Sequence, residues 1–123
     1  MFSKPLLIHN GSKLQSYLNI SANDVNVGDD VIINIYIERN ISDYVITTET
    51  ATDATGTVSI YLNDDTTYIF TVSISNGHGT LNISGLVAGV YVAHGEYSGD
   101  SKYKASSGTS ESFIVRAEPI VVV

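Results

Sequence analysis

The chain has 123 residues, 43% of them hydrophobic and 15% charged, and no cysteine. That is one domain's length, with enough apolar residues for a core and no thiols for disulfides, thiolate metal sites or cysteine nucleophiles. The net charge of −7 is concentrated in residues 40–101, which hold seven acids and no Lys or Arg; such a surface repels phosphate backbones and anionic lipid, so no nucleic acid and no direct membrane insertion are expected.

Residues 1–15 read as an N-terminal extension. Its apolar stretch, Pro5-Leu6-Leu7-Ile8, is too short for a secretory signal, and the chain has no apolar run long enough to span a bilayer. From there the period is two. Leu18-Asn19-Ile20-Ser21 alternates apolar and polar residues. Val31 to Glu38 puts Val31, Ile33, Ile35 and Ile37 on one face. Val58 to Leu62, Tyr68 to Ile74, Leu81 to Ile83, Val90 to Tyr97 and Phe113 to Val115 repeat the alternation. No window carries the spacing of an amphipathic helix. Seven or more strands, at intervals of ~8–12 residues, predict an all-β antiparallel sandwich. The inward set is Val31, Ile33, Ile35, Ile37, Val58, Ile60, Leu62, Tyr68, Phe70, Val72, Ile74, Leu81, Ile83, Tyr91, Ala93, Tyr97, Phe113 and Val115. Turn residues fall between the runs, and Asn76-Gly77 is the strongest hairpin signal.

Several segments, taken in order, resemble a known family. They are Val27-Gly28-Asp29-Asp30, Asp53-Ala54-Thr55-Gly56-Thr57, Gly79-Thr80-Leu81-Asn82-Ile83, Gly89-Val90-Tyr91 and Tyr97-Ser98-Gly99-Asp100-Ser101-Lys102-Tyr103. The chain is similar to the bacterial and archaeal Ig-like repeats of large surface proteins, adhesin-like proteins of methanogens among them. The resemblance covers residues 16–116. It implies an immunoglobulin-like β-sandwich without catalysis or cofactor, placed extracellularly on a cell surface, with neighbouring modules of the same chain as partners. Against that pattern, residues 39–52 are an insertion. Residues 117–123 read as a linker or the start of a following repeat.

No catalytic, cofactor or metal site is expected. His9, His78 and His94 share no ligand spacing. His94 falls on the polar face of its strand and is expected in solvent. Asp24, Asp29, Asp30, Asp64 and Asp65 lack the loop pattern of a calcium site. None of the four lysines falls in a core run, as an intramolecular isopeptide bond would require. Asp100 is expected to accept backbone N–H groups in its own turn. Tyr97 and Tyr103 are expected to pack their rings and send their hydroxyls to backbone or water.

Two functions remain. One is a structural spacer. The other is a glycan- or protein-binding module using one end of the sandwich, formed by residues 39–55, 76–79 and 98–104. That end would present Asp43, Tyr44, Glu49, His78, Asp100, Lys102 and Tyr103, with Asp53 among them. The insertion should form a strand or hairpin arm, and Leu6-Leu7-Ile8 would cover its apolar middle. Four Asn-x-Ser sequons mark Asn10, Asn19, Asn40 and Asn82 as glycosylation candidates.

Overall fold

The computed structural model describes residues 12–117. Within them are eleven strands and no helix: β1 (Tyr17–Ala22), β2 (Val25–Asn26), β3 (Val31–Asn40), β4 (Thr48–Thr50), β5 (Gly56–Leu62), β6 (Asp65–Ile74), β7 (His78–Ile83), β8 (Gly89–Tyr91), β9 (Ala93–Tyr97), β10 (Ser106–Thr109) and β11 (Phe113–Arg116).

β3 centres the first sheet. β1 pairs antiparallel along one edge of it, and β7 and β4 follow one another along the other. Between those two, the Ile37 N–H donates to Gly77 O and its carbonyl accepts from Ala51 N. The second sheet has the order β10-β9-β5-β6. A three-stranded ribbon, β2-β11-β8, closes one side, with β2 parallel to β11. This is the predicted immunoglobulin-like sandwich.

The inner faces follow the period of two. Val31, Ile33, Ile35, Ile37, Val58 and Ile60 are fully buried, with Tyr97, Phe113 and Val115 beside them. Each large side chain buried in this way contributes ~1.5–3 kcal/mol. The alternation gives the right phase but extends the core too far. Tyr68 is 69% exposed, because the β5–β6 register slips between Ile60↔Phe70 and Leu62↔Asp65 and Tyr68 falls among the residues left out of the ladder. Leu62, Phe70, Leu81 and Tyr91 are only half-buried against the core. Ala51, Ala54 and Tyr103, from loops, are fully buried instead.

The seven or more strands expected are eleven, for local reasons. The run from Val90 to Tyr97 breaks at Val92. Asn63 donates its N–H to Val92 O and accepts Val92 N–H on its side chain, at 2.8 and 2.9 Å. Those groups are then lost to any neighbouring strand, and the chain switches from the ribbon into the second sheet. β10 is Ser-Ser-Gly-Thr, which carries no apolar signal. It is held by closeness: a Cβ on Gly108 would collide with the Leu18 carbonyl.

Asn76-Gly77 does make the expected turn, with φ of 55° and 75°. Ser75 and His78 exchange both backbone bonds at 3.0 Å. The hairpin stops there. β6 stays with β5, while β7 crosses to β3, so the turn joins the two sheets. A Cβ at Gly77 would strike the Ala51 carbonyl, so this corner requires glycine.

The strand directions define two poles. The described chain comes in beside Tyr103, where Leu14 forms a parallel bridge. It goes out where Val27 N–H donates to Arg116 O, next to the turn that precedes Val31. Ten-residue β3 separates these N-terminal and C-terminal poles by about 30 Å.

Candidate functional site

Three loops and the incoming chain meet at the N-terminal pole, as the sequence predicted for 39–55, 76–79 and 98–104. Gly77 N–H donates to Ala54 O at 3.0 Å, tying the 76–77 corner to the end of the insertion. Leu14 N–H donates to Lys102 O, and Lys104 N–H to Leu14 O. Buried Ser16 adds its hydroxyl to Lys104 O at 2.6 Å.

Asp100 holds this assembly. Its Oδ1 accepts Lys102 N–H at 2.8 Å and Tyr103 N–H at 2.7 Å. Its Oδ2 accepts Thr55 N–H at 2.8 Å and the Thr55 hydroxyl at 3.2 Å. One carboxylate therefore forms its own turn, as expected, and also fastens that turn to the 51–55 loop.

The return fastening comes from the two tyrosines. Tyr97 donates its hydroxyl to Thr55 O, and Tyr103 donates to Asp53 Oδ1, both at 2.6 Å. Asp53 Oδ2 pairs with Lys102 Nζ. The Tyr97 hydroxyl thus reaches backbone as predicted; that of Tyr103 finds a carboxylate instead of backbone or water.

Protonation states follow from these contacts. The Lys102 ammonium, then the Tyr103 hydroxyl, hold Asp53 at about 2 against a small opposing effect of burial. Burial pushes Asp100 upward, but the Thr55, Tyr103 and Lys102 N–H groups outweigh it and the pKa ends below the usual carboxylate value. Burial raises Tyr97, and the Asp100 charge raises it further. Burial and then Asp53 raise Tyr103. Across neutral pH both acids stay ionised and both phenols stay protonated. The Lys102–Asp53 pair is likewise an ion pair with side chains 55% and 43% exposed, far from the buried, neutral amine and acid that amide condensation needs.

The residues singled out in the sequence therefore divide. Asp100 and Tyr103 belong to the fastening, and Tyr103 is fully buried. Lys102 lies at the fastening's rim. Glu49 pairs with Arg39 across β4 and β3. His78 stacks on Tyr36 with centroids 4.5 Å apart, and its Nε2 is buried without a hydrogen-bond partner. Asp43 and Tyr44 sit on the arm between β3 and β4.

That arm is the expected hairpin. Asn40 accepts Thr47 N–H on Oδ1 and donates to Ser42 O, while Ile41 N–H donates to Thr47 O. At its tip Tyr44 is 95% exposed, with Val45 and Ile46 close behind. The predicted cover, Leu6-Leu7-Ile8, lies outside the described residues, as do Asn10 and residues 118–123.

Elsewhere, His94 is not simply solvated. It stacks on Tyr61 and meets the Thr109 hydroxyl at 3.2 Å. Asn19 and Asn82 point outward from their strands, with Asn19 donating to Glu38. Asp24 and Asp29 accept backbone N–H groups of Ile114 and Asn26. Thr55 and Ser16 carry no signal of their own in the sequence. Their partners lie 45 and 88 residues away, beyond any local pattern.

Two of the segments with the family resemblance meet here, Asp53 to Gly56 against Tyr97 to Tyr103. A family model described as "Bacterial Ig-like domain (group 3)" matches residues 18–116, more than half the chain. The chain belongs to that family. Comparison with curated proteins and with solved structures found no match. In this Ig-like domain the motif residues fasten the loops and the incoming strand into one plate. The family is a structural one, generally without catalysis and typically at the cell surface. No helix among the described residues is long and apolar enough to cross a membrane.

Proposed function

We propose that this Ig-like domain is a non-catalytic spacer of an extracellular, adhesin-like surface protein, joined in series to neighbouring Ig-like modules. The observation that carries the reading is the placement of the two ends of the described residues. Leu14 lies at one pole and Arg116 at the other, which supports linkage of modules end to end. The polar fastening at the N-terminal pole supports it, because a spacer must transmit position without bending where modules join.

The test is surface exposure of the parent protein on intact cells. An antibody against this domain should label unpermeabilised cells, and the flanking sequence should carry further copies of the Tyr-Ser-Gly-Asp pattern. Labelling only after permeabilisation would overturn the reading. A second reading, a glycan or protein contact at the same pole, is favoured by the exposed Tyr44. Loss of a measured glycan or protein interaction on Tyr44→Ala would support it.

A further inference from the structure

The Asn-x-Ser sequons at Asn19, Asn40 and Asn82 fall within the described residues, and all belong to the first sheet. Asn19 is on β1, Asn40 ends β3 and Asn82 is on β7. The strands of the second sheet contain no asparagine. The register sets the face. Asn19 lies opposite Tyr36 and Asn82 opposite Ile32, on the two flanks of β3. Their chain neighbours Ile20 and Ile83 are buried, so both asparagines point to the outer face. Ser21 and Ser84, two residues on in the same sequons, are exposed with them.

The three carboxamides differ in what they already hold. Asn40 accepts Thr47 N–H at 2.8 Å and donates to Ser42 O at 2.7 Å, so both of its ends shape the arm. Asn19 donates to Glu38 Oε2 at 3.1 Å. Asn82 is exposed, and no hydrogen bond among the described residues engages its side chain. Ile32, directly across from it and 49% exposed, gives the apolar face of a sugar ring a side chain to rest on.

We propose that Asn82 carries an N-linked glycan and that Asn40 does not, with Asn19 the lesser acceptor because its sugar must displace the Glu38 contact. The donor is a lipid-phosphate-linked oligosaccharide. Asn82 Nδ2 forms a bond to C1 of the first sugar, and the bond from C1 to the phosphate oxygen breaks. The electron pair leaves with the lipid phosphate, which also takes up the amide proton. Ile83 is buried and β7 is paired with β3, so transfer precedes the closing of β7 onto the sheet. The glycan covers the outer face of the first sheet and leaves the second sheet as bare protein. The inference rests on the extracellular reading above, since only an exported chain meets such a donor.

The experiment is peptide mass spectrometry of the parent protein taken from the surface of its own cells. The peptide holding Asn82 should be found mainly with a sugar mass on that residue, and the peptide holding Asn40 without one. Asn82→Gln should remove the sugar. Ser84→Ala, which keeps the asparagine, should remove it too, and both residues are exposed, so the fold tolerates either change. A bare Asn82 in protein at the cell surface overturns the proposal and leaves the spacer reading standing. A sugar that survives Ser84→Ala, or one on Asn40 in place of Asn82, also overturns it. A bare Asn82 in protein found only inside the cells overturns both readings.

Discussion

The two poles of this sandwich are finished by different physics. At the N-terminal pole Asp100, Asp53, Thr55 and the Tyr97 and Tyr103 hydroxyls satisfy one another across two loops. At the C-terminal pole Tyr91 bonds its hydroxyl to Val87 O at 2.6 Å and stacks on Phe113, beside an open recess lined mainly by apolar side chains. A pole held by charge-assisted hydrogen bonds depends on pH and on single carboxylates. At the C-terminal pole the carboxylates of Asp24, Asp29 and Asp65 each accept a backbone N–H near their own strand, and none ties loop to loop as Asp100 does.

The contrast between the poles can be tested in four ways. Ile35 is fully buried and belongs to both poles. Ile35→Ala should cost ~2–5 kcal/mol in denaturant melts and loosen amide exchange at both ends alike. Asp100→Ala should cost about 2–3 kcal/mol, because it strands N–H groups that only this carboxylate reaches. Its exchange effect should be confined to 12–16, 51–55 and 98–104; equal loosening at 84–91 would show that the poles are not independent.

Acid should select the same pole. Asp53 and Asp100 titrate lower in the folded chain than in the unfolded one. Their contribution is therefore present above the ordinary carboxylate range and is lost as pH falls through it toward about 2, where Asp53 titrates. In that window the unfolded chain binds more protons, so thermal stability falls with pH. Asp53 is 43% exposed, so solvent screens its share. Asp100→Asn should flatten the acid limb of a melting-temperature profile; an unchanged limb would move the acid sensitivity elsewhere. Smallest is the recess itself. Val87→Asp should change the stability of a single copy by less than about 0.5 kcal/mol. A larger loss would make the recess part of the core.

Much of this is legible in the chain. The period of two locates every core strand, and turn residues place the corners. What it cannot show is where apolar residues run out of partners. Tyr68 is in phase with Phe70 but falls where the β5–β6 register slips, so the same alternation yields a groove wall instead of core. Nor does periodicity see β10, whose Ser, Gly and Thr suit close approach to Leu18. The spacing of the loops points to the pole, and the β-formers of the insertion point to the hairpin arm. The fastening itself is only half visible. Asp100 announces its own turn, but its hold on Thr55, like that of Tyr103 on Asp53, spans about half the chain.

The serial geometry is tested most directly by small-angle scattering from one copy and from two copies joined in sequence. The second copy should lengthen the particle by at least the ~30 Å of β3, with the cross-section unchanged. A two-copy particle that thickens without lengthening would contradict the account.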